Sequence, residues 1–212
     1  MNAAHQALIR TLRGRLALPL PGHDDFRELS GYQRPDLEAV RAQVPPPRES
    51  GVLILLYPDQ HETRTMLMLR PAYDGVHSGQ VGFPGGHREP VDADIKATAL
   101  REFREETGAD TTGFEVLGAL TPVYIPPSRA LVTPVVAITP ALGPLAPDPR
   151  EVAELIPVSI GHLLRDDILK RTKVYVSMLG REVEAPYWDV DGRVVWGATA
   201  LMIAELRKVL AA

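Results

Sequence analysis

The chemically most informative part of the sequence is the run Arg101 to Gly108, which contains three glutamates. On a helix, residues three and four apart share a face, so Glu102, Glu105 and Glu106 would point to the same place. Like charges at this spacing destabilise a helix. Taken alone, the run would also fit an ordinary acidic surface of a helix. Carboxylate oxygens are the ligands that Mg²⁺ and Mn²⁺ prefer. The run therefore predicts a divalent-metal site.

A glycine-rich turn precedes this run, at Gly82-Phe83-Pro84-Gly85-Gly86. Glycine lets the backbone turn sharply and approach a ligand without an intervening side chain. A carbonyl of this turn could therefore join the carboxylates around a cation. Because a bound cation inverts the local charge, such a site would attract a polyphosphate. The two motifs together indicate binding of a phosphoanhydride.

The elements that position these motifs are predicted from the apolar pattern. Residues 95–107 have the period of a helix, with Asp94 as its N-terminal cap and Gly108 as its stop. Residues 71–90, rich in glycine and without periodicity, predict a long irregular loop. The other predicted elements, in chain order, are an amphipathic helix at 3–16, strands at 51–57 and 65–69 that form a hairpin, strands at 115–124 and 132–138, a proline-rich loop at 140–149, a strand at 155–158, a short helix around His162, a hairpin at 174–187 and a helix at 198–210.

Composition excludes several classes of protein. The 212 residues include no cysteine, so disulfides, thiolate metal sites and thiol catalysis are excluded. The net charge of −4 provides no field that would attract nucleic acid. The longest apolar run, Val52 to Tyr57, is far shorter than the roughly 20 residues of a membrane span, and no secretion signal is recognisable. We therefore expect a cytoplasmic protein with a small-molecule substrate and with neither nucleic-acid nor membrane partners.

Gly86 and the later run Arg101-Glu102-Phe103-Arg104-Glu105-Glu106-Thr107-Gly108-Ala109 resemble the Nudix box, G-x5-E-x7-R-E-U-x-E-E-x-G-U, in which U is apolar. The second half matches at every specified position. In the first half, Arg101 follows Gly86 by fifteen residues instead of fourteen, and Ala93 stands where the box has its first glutamate. The acidic role of that position is open between the flanking Asp92 and Asp94, or lost, and helix capping is the alternative role for both aspartates.

The extra residue is a mark of one Nudix branch, the coenzyme A pyrophosphatases. Four further segments are similar to that branch: Leu67-Met68-Leu69-Arg70, residues 77–86, Pro126-Pro127-Ser128 and residues 132–136. The likeness covers roughly Gly51 to Val158. Gly75 stands where the branch usually has an arginine, so an ADP-ribose, dinucleotide or nucleoside triphosphate hydrolase remains the alternative.

The resemblance implies an α/β fold, the Nudix α/β/α sandwich with a mixed β-sheet, plus an N-terminal helical extension. We expect a single domain overall, with the extension and its proline-rich end at residues 1–47 and the Nudix hydrolase domain at 48–212. It further implies Mg²⁺- or Mn²⁺-dependent hydrolysis of the diphosphate of coenzyme A or its derivatives to 3′,5′-ADP and 4′-phosphopantetheine. A non-catalytic nucleotide-sensing module is disfavoured because all three box glutamates of the second half are present. A homodimer is possible.

Several side-chain roles follow from the resemblance alone. The implied metal ligands are Glu102, Glu105, Glu106 and the carbonyl near Gly86. Arg101 would orient the glutamates by ion pairing, and the general base would be Glu105, Glu151 or Glu154. The candidate substrate-binding residues are Arg70, His77, Gln80, Arg88, Tyr124 and Ser128, of which Arg70 or Arg88 would pair with a 3′-phosphate. Trp188 and Trp196 are expected to be core or dimer contacts.

Overall fold

A computed structural model describes residues 3–30, 34–72, 79–176 and 179–211. The helices are α1 (Ala3–Leu16), α2 (Leu37–Arg41), α3 (Ile95–Thr107), α4 (Ile160–Leu163) and α5 (Gly197–Ala211), with 3₁₀ turns at Asp24–Ser30 and Pro126–Ser128. The strands are β1 (Arg48–Asp59), β2 (Glu62–Leu69), β3 (Val81–Gly82), β4 (Gly85–His87), β5 (Glu115–Ala119), β6 (Val123–Ile125), β7 (Ala130–Ile138), β8 (Glu154–Ser159), β9 (Leu169–Val176), β10 (Arg181–Val190) and β11 (Arg193–Val195). None of the described helices is long and apolar enough to span a membrane.

The strands form two sheets. The larger one has the order β3-β2-β1-β7-β5, with β4 paired to β1, β6 to β7 and β8 to β2. It is mixed, because β1 and β7 run parallel while its other pairs are antiparallel. The smaller sheet is antiparallel, in the order β11-β10-β9. The predicted hairpin at the start of the sheet and the C-terminal hairpin are both confirmed.

Helices cover both faces of the large sheet, as an α/β/α sandwich requires. Because side chains alternate along a strand, Leu53 and Leu55 of β1 face one cluster and Ile54 and Leu56 face the other. The first cluster includes Phe103 of α3 and the second includes buried residues of α1 and α5. The N-terminal helix, placed at 3–16 by its periodicity, therefore packs on the body of the protein.

Helix α3 begins and ends where the sequence predicts. The Asp94 side chain accepts hydrogen bonds from the first-turn amides of Lys96 and Ala97, and Gly108 ends the helix in the left-handed conformation at φ 72°. The helix lies so close to β1 that a Cβ on Gly51 would be 2.8 Å from the Ile95 carbonyl oxygen. This close packing sets the distance between the glutamates of α3 and the large sheet.

Two predicted elements differ in the structure. The expected irregular loop at residues 71–90 contains the short strands β3 and β4. Strand β4 can pair with β1 because Gly85 adopts φ 153° and has no Cβ, which would lie 2.3 Å from the Gly51 carbonyl oxygen. The expected strand at 115–124 is divided into β5 and β6. Its middle leaves the ladder because the Thr121 amide donates to the Glu205 carboxylate and Pro122 has no amide to donate.

A buried carboxylate on α5 joins three parts of the chain. Glu205 is fully buried, accepts hydrogen bonds from the Gly22 amide and from the Thr121 amide and hydroxyl, and lies 3.2 Å from His23 Nε2. Burial alone would raise the pKa of Glu205, but the contacts with His23 and Thr121 outweigh it and hold the pKa below its usual value. Helix α5 is thereby tied to two other parts of the chain, and its first residues line the site described next.

Candidate active site

A cavity of about 700 Å³ lies where α3, the glycine-rich segment, the end of β9 and the start of α5 meet. The three glutamates of α3 line it together with Glu151. The cavity therefore brings together, from distant parts of the chain, the acidic run and the glycine turn that the sequence singled out.

Arg101 organises the acidic face. Its guanidinium donates to Glu102 Oε1 at 3.0 Å, to Glu105 Oε2 at 2.8 Å and to the His87 carbonyl at 2.9 Å. It also forms a bidentate pair with Asp92, with both distances 2.9 Å. This pair holds the pKa of Asp92 well below its usual value. The geometry agrees with the predicted orienting role of Arg101.

The two aspartates left open by the sequence have different positions. Asp92 is buried and pairs with Arg101, whereas Asp94 caps α3. Because Asp92 also accepts a hydrogen bond from the Glu89 amide, it links the end of the glycine-rich segment to the helix. Neither aspartate lines the main cavity. Of the two aspartates, Asp92 is thus the one that pairs with the arginine of the box.

Glu106 is the most deeply placed carboxylate of the cavity, with only 2% of its side chain exposed. It accepts a hydrogen bond of 2.7 Å from the Gly85 amide, and Arg70 Nη2 lies 3.3 Å from its other oxygen. Burial raises the pKa of Glu106 to about 7, and the neighbouring negative charges of Glu102 and Glu151 add to the shift. The burial of Glu106 follows from the pairing of β4 with β1, which brings the Gly85 amide over the glutamate face of α3.

Glu102 lies against the glycine turn. A Cβ built on Gly86 would come within 2.6 Å of all three atoms of the Glu102 carboxyl group. Burial raises the pKa of Glu102, although its contact with Arg101 acts in the opposite direction. Glycine at position 86 is thus the residue that allows the carboxylate to approach the backbone.

These contacts predict a large loss of activity without loss of the fold in Gly86→Ala. The added methyl would displace only the flexible end of Glu102, so we expect little change in the free energy of unfolding. Activity should fall by about 10², the cost of misplacing a reacting group by about 1 Å. Gly85→Ala is the matched control, because its methyl would meet the backbone of β1 and should instead lower the melting temperature. Full activity in a folded Gly86→Ala protein would contradict the assigned position of Glu102.

The three candidates for a general base occupy different places, two in the cavity and one outside its lining. Glu151 lines the cavity, and its negative charge helps to raise the pKa of both Glu102 and Glu106. Its loop is anchored to the end of α3, because the Asp148 amide donates to the Glu106 carbonyl. Glu154 does not line the cavity, and its carboxylate lies 2.5 Å from Arg193 Nη2. Glu105 lines it, half exposed and paired with Arg101.

Four of the candidate substrate residues line the cavity, namely Arg70, Gln80, Arg88 and Ser128. Arg70 is already engaged, since it donates to the Gly85 carbonyl and contacts Glu106. Arg88 pairs with Glu49 at 2.7 Å. Tyr124 does not line the cavity: it is buried and its hydroxyl donates to Gln43. His77 and Gly75 lie outside the described residues.

Two further groups of cavity residues were missed by the sequence reasoning. Arg34 and Arg48 join Arg88 in a group that we call the arginine rim. Arg48 is exposed, and its guanidinium has no hydrogen bond or ion pair with any other described residue. Trp196, expected to be a core or dimer contact, also lines the cavity, whereas Trp188 is a core residue whose indole donates to the Ala200 carbonyl. Isolated arginines and a tryptophan carry no spacing signal that would have identified them.

The donor set fits a hard divalent cation by its chemistry. Every candidate ligand is an oxygen, and burial raises the pKa of Glu102 and Glu106, the direction expected for carboxylates whose charge a bound cation would stabilise. No three His, Asp or Glu side chains of the described ranges are already grouped closely enough to hold a metal ion. The carboxylates instead contact Arg101, Arg70 and the Gly85 amide.

Comparison with known proteins agrees with this arrangement. A family model described as the NUDIX domain matches residues 47–176. An uncharacterized Nudix hydrolase, NudL, of Photorhabdus laumondii is 33% identical over 172 residues, which are 77% of this chain and 90% of that protein. The human mitochondrial coenzyme A diphosphatase NUDT8 is 39% identical over 122 residues, 56% of this chain and 51% of that protein. A crystal structure of the Nudix hydrolase RenU from M. smegmatis superposes with a TM-score of 0.50 at 19% identity, covering 77% of this chain and 86% of that one.

The chain therefore belongs to the Nudix hydrolase family, and the resemblance found in the sequence is confirmed. Its α/β/α fold with a mixed sheet is likewise confirmed. Nudix hydrolases act on small-molecule nucleotide substrates and generally use divalent metal ions.

Proposed function

We propose that this Nudix hydrolase cleaves the diphosphate of coenzyme A or its derivatives to 3′,5′-ADP and 4′-phosphopantetheine, with Mg²⁺ or Mn²⁺. One observation carries the proposal: a single cavity is lined by the box glutamates, by residues of both signatures and by the arginine rim. The signature residues are Gln80, Gly82, Phe83, Gly85 and Gly86 upstream of the box and Pro127 and Ser128 downstream. The likeness to the human coenzyme A diphosphatase supports the same substrate.

Each group of the cavity has a defined task in this reaction. Glu102, Glu105, Glu106 and the Gly86 carbonyl would hold the divalent cation, which when bound supplies the positive charge that a diphosphate needs in this acidic site. Arg101 keeps Glu102 and Glu105 on the cavity side of α3. Arg70 and the Gly85 amide fix the carboxylate of Glu106.

The nucleophile in the proposed reaction is water, which a carboxylate must deprotonate. Glu151 is the base that the geometry favours, because it reaches the cavity from outside the box and is not engaged by Arg101. Glu105 is the alternative, since it lines the same cavity. Glu154 is disfavoured by its ion pair with Arg193 outside the cavity.

The 3′-phosphate distinguishes coenzyme A from other nucleoside diphosphate derivatives. Arg48 of the arginine rim is the residue best placed to bind it, since a guanidinium forms bidentate, charge-assisted bonds with phosphate, and Arg88 could join it by exchanging its ion pair with the exposed Glu49. Arg70, one of the two arginines that the sequence offered for this role, is instead committed to Glu106 and the Gly85 carbonyl.

Dephospho-coenzyme A, which lacks only this group, should be hydrolysed with a kcat/KM about tenfold lower than that of coenzyme A, because a charge-assisted bond is lost. Steady-state kinetics with both compounds measures the difference, and Arg48→Gln should reduce it. Equal kcat/KM values for the two compounds in the wild-type protein would contradict coenzyme A as the substrate.

A further inference from the structure

The cavity is chemically divided along the segment from Val81 to Arg88, which crosses it. At the first end, Gly82 contacts the start of α5, where a Cβ would lie 3.4 Å from the Thr199 hydroxyl. In the middle, Gly85 and Gly86 contact the buried glutamates of α3. At the last end, Arg88 belongs to the arginine rim. The carboxylates of α3 thus lie between the end of the cavity beside α5 and the end that carries the arginine rim.

The end beside α5 includes an apolar wall formed by Tyr175, Val176, Trp196 and Met202, next to Gly197, Ala198 and Thr199 of the first turn of α5. Trp196 packs against Val176 in a small apolar cluster of the three-stranded sheet, and Tyr175 remains 62% exposed. None of these four side chains carries a positive charge. A phosphate placed here would have the hydroxyl groups of Tyr175 and Thr199 and the first turn of α5 as partners, whereas the arginine rim offers guanidinium groups, which form stronger, charge-assisted bonds with phosphate.

Trp196 and Met202 lie beyond the part of the chain that matches the family model, which ends at residue 176. Arg34 lies before its start at residue 47. Both ends of the cavity therefore include residues supplied by segments outside the shared domain, whereas the central glutamates lie inside it. This is the distribution expected when common chemistry is combined with a specificity particular to this chain.

We propose that the apolar wall binds the pantetheine arm of coenzyme A and an acyl chain on its thiol, while the arginine rim binds the 3′-phosphoadenosine half. The inference rests on the proposed function, because that substrate places a charged arm and an uncharged arm on opposite sides of one diphosphate. With the diphosphate at the glutamates, the two arms must extend toward the two ends. Charge complementarity then favours this orientation over the reverse one.

The orientation predicts which substrate feature each variant loses. In Trp196→Ala, the ratio of kcat/KM for octanoyl-coenzyme A over coenzyme A should fall by about tenfold, since an apolar contact with the acyl chain is removed. The ratio for coenzyme A over dephospho-coenzyme A should stay at its wild-type value. Arg48→Gln should show the reverse pattern.

Trp196 is partly buried, so Tyr175→Ser provides a second variant at an exposed position of the same wall and should lower the acyl ratio in the same direction. Tyr187→Ala is the matched control, because Tyr187 lies on the adjoining strand and does not line the cavity. Unchanged acyl ratios in both wall variants, or a changed 3′-phosphate ratio in Trp196→Ala, would overturn the orientation. A wild-type protein that does not hydrolyse coenzyme A would overturn the proposed function itself, and the orientation with it.

Discussion

Replacing Glu106 by glutamine is expected to lower kcat by about a thousandfold or more, because the substitution removes a proposed metal ligand. The substitution removes the charge of a carboxylate that is 2% exposed and held at the centre of the cavity. Glutamine has the same shape, and its side-chain oxygen can still accept the hydrogen bond from the Gly85 amide. The fold should therefore persist, as circular dichroism and thermal unfolding would show.

Glu115→Gln is a suitable control for this measurement. Glu115 pairs with Arg13 on the surface and does not line the cavity, so the same chemical change there should leave kcat within about twofold of wild type. Increasing the concentration of Mg²⁺ or Mn²⁺ should not restore the Glu106 variant. Activity within tenfold of wild type at saturating metal would exclude Glu106 from the metal site.

Glu151→Gln is expected to lower kcat by about 10² to 10⁴ with little effect on KM, the behaviour of a lost general base. The expectation follows from its place in the cavity, where its charge acts on both Glu102 and Glu106. Steady-state kinetics at saturating metal separates the two parameters.

Glu154→Gln is the natural comparison, because Glu154 is three residues away but pairs with Arg193 outside the cavity. Its kcat should remain close to that of the wild-type protein. If Glu151→Gln retains more than a tenth of the wild-type kcat, the base must be sought at Glu105. If instead Glu154→Gln shows the larger loss, the placement of both residues relative to the chemistry is wrong.

The local parts of the site were predictable because local rules determine them. Helical period and two capping residues give the limits of α3, and the same period places Glu102 and Glu105 beside Arg101 and Glu106 in the same cavity. The first strands and the C-terminal hairpin follow from equally local apolar patterns.

The parts that were not predictable depend on contacts between distant segments. Glu106 is buried only because β4 pairs with β1, and a pairing of short glycine-rich strands leaves no periodic signal. Tyr124 was proposed for the substrate site, but side chains alternate along a strand, and in β6 its neighbour Ile125 is the one that lines the cavity. Trp196 reaches the site through the placement of a second sheet that no short motif specifies.

The central claim is tested most directly by identifying the products. The protein would be incubated with coenzyme A, ADP-ribose, a dinucleoside polyphosphate and a nucleoside triphosphate, each with Mg²⁺ or Mn²⁺, and the products identified by mass spectrometry. We predict 3′,5′-ADP and 4′-phosphopantetheine from coenzyme A, at a higher kcat/KM than for any other compound of the set. Intact coenzyme A in the presence of rapid hydrolysis of ADP-ribose or another compound would contradict the proposed substrate.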